Sequence, residues 1–290
     1  MKLWHVATGE ELLSFPAGGG VAWSVAFSPD SQLLAFSSGS SRRGEIAFAR
    51  AATENDVMVQ RAANPPAGTQ SVSPFPVPKK RLAKLIPPRD REAAPEMIDL
   101  TDFYNGSLTE GWIPSSVYGT TSQRNLGELP LGLQLFAGLR FDVRGVIQLA
   151  GGSLNGAFNA TYPAEVNGIP VHQKCHRLHF LHATGWRVGD GTTIGRYVIH
   201  HARGAPEEVA IVYGENVSDW WFDSRLEEAT ANAVVAWTGN NAAARAQHKT
   251  LRLYKYTWEN PKPDSLIESI DFVSLNTQSS PFLIAITAEP

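Results

Sequence analysis

Cysteine is almost missing from this 290-residue chain, which has Cys175 alone. One cysteine excludes an internal disulfide and any zinc site built from several thiolates. Long apolar runs are missing too, because no stretch approaches the roughly 20 residues that a membrane-spanning helix needs. Charge of one sign does not dominate either, since the chain has 25 Lys and Arg residues and 28 Asp and Glu residues. Nucleic-acid-binding domains are usually basic, so we expect neither a membrane span nor a nucleic-acid partner.

The familiar catalytic motifs are also missing. The chain has no Gly-x-Ser-x-Gly nucleophile elbow and no phosphate-binding Gly-x-x-x-x-Gly-Lys loop. Glycosidases need two carboxylates that face each other across a cleft, and the sequence indicates no such pair. We therefore predict no catalytic residue and expect a protein that is not an enzyme.

Four histidines lie near Cys175 and raise the question of a metal site: His172, His176, His179 and His182. If residues 177–183 form a strand, His176 and His182 lie about 20 Å apart, and His179 points to the opposite face. Zinc ligands must lie within roughly 2.0–2.3 Å of the ion, so one strand cannot supply them, although His172, Cys175 and His176 could still converge in a loop. The pattern favours histidines that pack or lie on the surface, and we predict no metal and no other cofactor.

The first 40 residues carry a recognisable repeat pattern. In the run VAWSVAF, the side chains of Val21, Trp23, Val25 and Phe27 alternate onto one face, as in a half-buried strand. The string KLWHVATGEEL resembles the last two strands of one WD40 propeller blade, and VAWSVAFSPDSQLLAFSSGS resembles the first two strands of the next. Two half-blades cannot close a propeller. The resemblance implies a partial repeat and, for a longer parent protein, a role in binding protein partners.

Proline and basic residues concentrate between residues 62 and 96. Eight of the 19 prolines fall there, together with a cluster of lysines and arginines. Proline removes backbone donors and favours extended chain, so this stretch is predicted to be a linker. The expected organisation is a WD40-like fragment at 1–61, a Pro-rich basic linker at 62–96 and a separate domain at 97–290.

Residues 97–290 show many short alternating runs divided by turn residues. We predict strands at residues 139–144, 177–183, 194–201, 208–213, 234–238, 250–258, 266–274 and 282–287. Gly, Asn and Pro clusters separate these runs, and little helical periodicity is present. The pattern is typical of an all-β fold, a jelly-roll-like β-sandwich that follows the partial WD40-like hairpin and the linker.

Several strings in this half resemble the galactose-binding-like jelly rolls that serve as accessory modules in bacterial multidomain proteins. They include GLQLFAGLRFDVRGVIQL, RLHFLHA, IGRYVIHHARG, VYGENVSDWW and TWENPKPDSLIESIDFVS. The resemblance covers about two-thirds of the chain and implies a binding function, often for glycans. A fold alone does not establish that function.

Tryptophans and polar side chains supply the candidate binding residues. Six of the eight tryptophans lie after residue 97. The flat C–H face of a sugar rests on an aromatic ring, while its hydroxyls need carboxylates or amides. Trp186 lies beside Arg187 in a glycine-rich turn, and a second group combines both residue types. We predict these ligand-binding residues: Trp186, Asn216, Asp219, Trp220 and Trp221. If Trp220 and Trp221 are extended, one packs inward and the other faces outward.

Arg140, Asp142 and Arg144 alternate along one predicted strand. They could bind an anion, but the pattern favours a solvated ladder of paired charges.

These observations predict a non-catalytic binding module for carbohydrate, at the C-terminus of a larger WD40-repeat protein. The alternative is a structural or protein–protein interaction module that docks on a propeller or another partner protein. An apolar surface patch would favour the alternative, and a concavity lined by tryptophan and polar groups would favour a glycan ligand.

Overall fold

The chain divides into two units, Met1–Ser71 and Val72–Pro290. The computed structural model describes residues 2–4, 11–14, 21–29, 33–40, 43–50, 76–113, 123–157, 160–223 and 230–290. In these ranges, no helix has the length and apolar character needed to cross a bilayer.

The described residues of the N-terminal unit form two small antiparallel sheets. In the first, β1 (Lys2–Trp4) pairs with β2 (Glu11–Ser14). In the second, β4 (Leu33–Ser40) lies between β3 (Val21–Phe27) and β5 (Arg43–Arg50). The strings that resemble WD40 half-blades cover β1, β3, β4 and the first two residues of β2, and β5 extends the second sheet. Val25 and Phe27, expected to be half-buried, are 58% and 59% exposed.

Strands are the main regular structure in the described residues of the C-terminal unit. Two short helices, α1 (Lys79–Leu82) and α2 (Ala242–Ala246), and a π-helical turn at Gly152–Ala157 accompany them. The strands are β6 (Gly106–Ser107), β7 (Gly132–Phe136), β8 (Leu139–Val143), β9 (Gly145–Gln148), β10 (Glu165–Gln173), β11 (Arg177–Gly185), β12 (Thr193–His201), β13 (Glu207–Val212), β14 (Trp221–Phe222), β15 (Ala233–Gly239), β16 (Thr250–Glu259), β17 (Ile267–Ser274) and β18 (Ser280–Glu289).

Eight of these strands form a rolled hairpin. Going inward from its ends, β9 pairs with β18, β10 with β17, β11 with β16 and β12 with β13, all antiparallel. Rolling the hairpin places alternate pairs in different sheets. One sheet has the order β10–β17–β12–β13, and the other has the order β14–β16–β11–β18–β9–β6 with β15 beside β16. This is a jelly-roll arrangement, and the predicted all-β sandwich is confirmed.

The space between the two sheets holds the first hydrophobic core. Phe180 of β11 stacks on Tyr197 of β12 with ring centroids 3.9 Å apart, and Phe272 of β17 extends the stack. His182 also points into this core. Its two ring nitrogens lie 2.9 Å from the Tyr197 hydroxyl and 2.9 Å from the Asn216 carbonyl oxygen. Burial lowers the pKa of His182 to about 4, so the core holds a neutral imidazole.

A second core covers the other face of the larger sheet. Leu181 of β11 and Phe282 of β18 point into it, whereas their chain neighbours Phe180 and Leu283 face the first core. Trp112 belongs to this core and is fully buried, and its indole N–H donates to the Gln148 side-chain oxygen at 3.0 Å. The sheet is therefore buried on both faces along β18, which explains the continuous apolar run in that strand.

The predicted charge ladder is paired, and Arg140 is exposed as expected, but Asp142 and Arg144 are buried and not solvated. The side chains of Asp142 and Arg144 are each 1% exposed, and they pair at 2.9 Å. Arg144 also binds Asp99 at 2.6 Å, and Arg89 binds Asp142 at 3.0 Å. The chain around residues 89–101 covers this part of the sheet, so the charges are buried by a segment distant in sequence.

Residues 76–96, which lie in the stretch interpreted as a linker, belong to the C-terminal unit. Val77 and Leu82 are buried, and Arg89 takes part in the ion pairs just described. This part of the proline-rich stretch is thus held by apolar contacts and by charge.

Candidate functional site

The candidate site lies where β11 ends and β14 begins. Thr184 of β11 forms a parallel bridge with Asp219. The Thr184 N–H donates to the Ser218 carbonyl at 3.2 Å, and the Trp220 N–H donates to the Thr184 carbonyl at 2.9 Å. Trp221 then pairs with Leu251 at the start of β16. These hydrogen bonds align residues 184–186 with residues 219–221, so Trp186 and Trp221 end neighbouring segments.

Trp220 and Trp221 are adjacent in the sequence and differ in burial, as alternation along an extended chain requires. Trp220 is 3% exposed and packs against Trp112 and Phe282, with ring centroids 5.3 and 5.8 Å away. It therefore supplies core packing and has no face for a ligand, contrary to its prediction as a binding residue. Trp221 is only partly buried, and its ring leans on Trp220 with centroids 6.1 Å apart. The buried tryptophan thus supports the partly exposed one.

Asn216 holds a turn together and is not placed to contact a ligand. It is 6% exposed. Its side-chain oxygen accepts from the Val212 N–H at 2.7 Å, and its amide donates to the Ala210 carbonyl at 2.9 Å. The prediction of Asn216 as a ligand-binding residue is therefore corrected to a structural role. Its carbonyl also binds buried His182, which ties this turn to the first core.

Trp186 has an unusual backbone. Its φ of 63° lies in the left-handed region, where a bulky side chain costs about 1–2 kcal/mol. Its ring is partly buried against the second core. Strained residues of this kind concentrate at functional sites, which makes Trp186 a candidate for a functional role.

Asp219 precedes Trp221 by two residues, just as its bridge partner Thr184 precedes Trp186 by two. One carboxylate oxygen accepts from the Trp221 N–H at 2.9 Å. Burial raises the pKa of Asp219 to about 6, and this N–H and the charges of Lys249, Arg187 and Arg124 act in the opposite direction. A carboxyl group with this pKa is ionised at neutral pH at an energetic cost. Perturbed carboxyl groups often mark functional sites.

The charges of three basic side chains lower the pKa of this carboxyl group against the effect of burial. The Arg124 guanidinium lies over the Trp221 ring, 5.3 Å from the centroid. Arg187 follows Trp186 directly and is exposed. Lys249 precedes Thr250, the strand partner of Phe222. The sequence analysis named Arg187 because it follows Trp186. No local pattern indicated Arg124 or Lys249, because both are distant in sequence from Trp186.

The histidines near Cys175 do not form a metal centre within the described ranges, where no group of three or more His, Cys, Asp and Glu side chains is placed to hold an ion. His172 and His176 are exposed. His179 bonds Thr257 and Glu289, each at 2.9 Å. Cys175 is buried, and burial raises its thiol pKa to about 11, so the thiol is protonated at neutral pH.

Comparisons with protein-family models, with curated proteins and with solved structures gave no match.

Proposed function

We propose that the C-terminal unit is a non-catalytic carbohydrate-binding module whose ligand rests on Trp221 and Trp186. The observation that carries the proposal is that two partly exposed tryptophans, Trp186 and Trp221, lie on neighbouring backbone segments, one of which also holds a perturbed carboxyl group, Asp219. An indole ring has a negative face that attracts the weakly positive C–H groups of a sugar. A carboxylate beside the ring can accept hydrogen bonds from the sugar hydroxyls.

Rigid support for the rings favours the same function. Trp221 packs against buried Trp220. The Arg124 guanidinium lies over one face of the Trp221 ring, so a sugar would rest on the opposite face. Trp186 is fixed by its backbone conformation and by contact with the second core. Aromatic side chains that are held in place before binding lose little freedom when a ligand arrives.

The test is a titration of the full chain against a panel of neutral and acidic oligosaccharides, followed by calorimetry. Replacing Trp221 by Ala should weaken binding by about tenfold, which corresponds to about 1.4 kcal/mol. The matched control is Trp258→Ala, since Trp258 is also partly buried but packs against the first core. It lies on β16 seven residues from Leu251, the partner of Trp221, or about 23 Å along the strand. Absence of binding to every sugar by a folded sample would overturn the proposal.

A second candidate is a structural or protein-interaction module of a larger WD40-repeat protein, and one observation favours it. Val234 and Val235 of β15 are 50% and 41% exposed, and among the described strands β15 pairs with β16 alone. An exposed apolar edge strand can accept a partner strand. The test is capture of a purified WD40 propeller by the full chain. Val234→Lys should abolish capture, and Leu275→Lys, which changes an exposed side chain outside β15, should not.

A further inference from the structure

We infer that Asn167 is a site of spontaneous covalent modification, where the side-chain amide is lost and an aspartate or isoaspartate residue remains. The chain has three Asn-Gly pairs, Asn105-Gly106, Asn155-Gly156 and Asn167-Gly168. A glycine after asparagine favours this reaction, because a residue without a Cβ lets its backbone nitrogen reach the preceding side chain. The fold restrains the first two pairs and leaves the third open to reaction.

The reaction needs water and no other co-reactant. The Gly168 nitrogen gives up its proton to solvent and attacks the side-chain carbonyl carbon of Asn167. A new C–N bond closes a five-membered succinimide ring, and the side-chain nitrogen takes up a proton and leaves as ammonia. One water molecule then opens the ring at either carbonyl, which gives aspartate or isoaspartate. The product carries one more negative charge at neutral pH, because a carboxyl group replaces a neutral amide.

Hydrogen bonds restrain the side chains of the other two asparagines. The Asn105 side-chain oxygen accepts from the Gln148 N–H at 2.8 Å, and its amide donates to the Gln148 carbonyl at 2.9 Å. Gly106, which follows it, is buried. Asn155 lies in the π-helical turn, and its amide donates to the Tyr162 carbonyl at 3.2 Å. Attack on either side chain must first break these bonds, so the fold raises the barrier at both sites.

Asn167 and Gly168 form a bulge in β10, which pairs with β17 alone among the described strands. The ladder shifts register between Val166 and Ile169, so the two residues lie outside its regular pairs. Both are exposed. Within the described part of the chain, no hydrogen bond holds the Asn167 side chain. Gly168 has a φ of 73°, and a Cβ placed there would meet no atom within 4 Å. The attacking nitrogen therefore lies in open space beside an unrestrained amide.

Asp271 of β17 restrains the rate at this site. The Gly168 N–H donates to one Asp271 carboxylate oxygen at 2.8 Å, and the other oxygen lies 2.6 Å from Nε2 of His200. The nitrogen must lose its proton before it attacks, and a neighbouring carboxylate disfavours the negative charge that results. Removal of the Asp271 charge should therefore accelerate the modification of Asn167.

The experiment measures the rate at each of the three asparagines in one sample. The full chain is incubated near neutral pH below its unfolding temperature, digested at intervals, and its peptides are analysed by mass spectrometry. We expect Asn167 to react at least about tenfold faster than Asn105 or Asn155, a barrier difference of about 1.4 kcal/mol. In urea, where the fold no longer distinguishes the three sites, the rates should agree within about threefold.

A pair of variants tests the restraint by Asp271. Asp271→Asn removes the charge and keeps a side-chain oxygen beside the Gly168 N–H, and it should raise the Asn167 rate by about threefold. The matched control is Glu165→Gln, which removes the same charge from an exposed residue of β10 and should leave the rate unchanged. Unchanged rates at the other two asparagines would show that the fold of each variant is intact.

The outcomes test the site and the restraint separately. The site is overturned if Asn105 or Asn155 reacts as fast as Asn167 in the folded chain. It is also overturned if the tenfold difference persists in urea, because the local sequence and not the fold would then select Asn167. The restraint is overturned if Asp271→Asn reacts no faster than the wild type, or if it accelerates all three sites alike.

Discussion

Replacing Asp219 by Asn should make the protein more stable at neutral pH. Burial raises the pKa of the Asp219 carboxyl to about 6 in the folded state, against 3.8 for an unperturbed aspartate. The folded state therefore binds this proton more readily than the unfolded state does. The energetic cost of ionisation is fully present above pH 6, declines as the pH falls, and disappears below the unfolded pKa of about 3.9.

The magnitude follows from the two pKa values. A difference of about 2.2 units at 1.36 kcal/mol per unit corresponds to about 3 kcal/mol. Asp219 is only partly buried by surface area, and solvent screening reduces the effect, so we expect a gain of about 1–2 kcal/mol. Asparagine keeps the side-chain oxygen that accepts from the Trp221 N–H, which makes Asp219→Asn a change of charge with little change of shape.

The assay is urea unfolding of the full chain at pH 7.5 and at pH 3.5, followed by tryptophan fluorescence. The Asn variant should be more stable than the wild type at pH 7.5, and the difference should vanish at pH 3.5. Asp264→Asn, a change at an exposed aspartate, is the control and should alter stability by less than about 0.5 kcal/mol at either pH. A variant that is equally or less stable at pH 7.5 would refute the reasoning.

Three further predictions concern the cores. Trp112→Ala should lower the free energy of unfolding by about 3–5 kcal/mol through the cavity it leaves, measured by urea titration; a loss below about 1 kcal/mol would show that the second core can collapse. Arg144→Leu should cost about 3–5 kcal/mol in the same measurement, because buried Asp142 loses a partner, and the double variant with Asp142→Leu should recover part of that loss. His182 has a pKa lowered to about 4, so it contributes stability above pH 6.5 that is lost as the pH falls toward 4, by about 3 kcal/mol. In His182→Gln this part of the pH dependence should be missing, and an unchanged pH profile would contradict the assignment.

The strands of the sandwich were predictable because alternation is a local property. The run 194–201 matches β12 (Thr193–His201), and the run 250–258 matches β16 (Thr250–Glu259). The burial of Asp142 and Arg144 was not predictable, since the chain around residues 89–101 covers them. A strand pattern reports which residues share a face, but it does not report what covers that face.

The same limit applies to the candidate site. Alternation correctly separated Trp220 from Trp221, yet it could not say which ring faces inward. That choice depends on Trp112 and Phe282, which are distant in sequence and pack on Trp220. Asn216 carried the right chemistry for a ligand, but its amide is used by the backbone of its own turn. Turn-forming and ligand-binding asparagines look alike in a sequence.

The tip of the rolled hairpin lies at residues 202–206, between β12 and β13, and all five residues are exposed. A protease cut there would leave two polypeptides that still pair through β9 and β18, β10 and β17, and β11 and β16. Neither fragment alone holds a complete sheet, so each needs the other to bury its apolar face. The module is therefore suited to division into two complementary fragments. Recovery of the folded module would then show that the two fragments have bound each other.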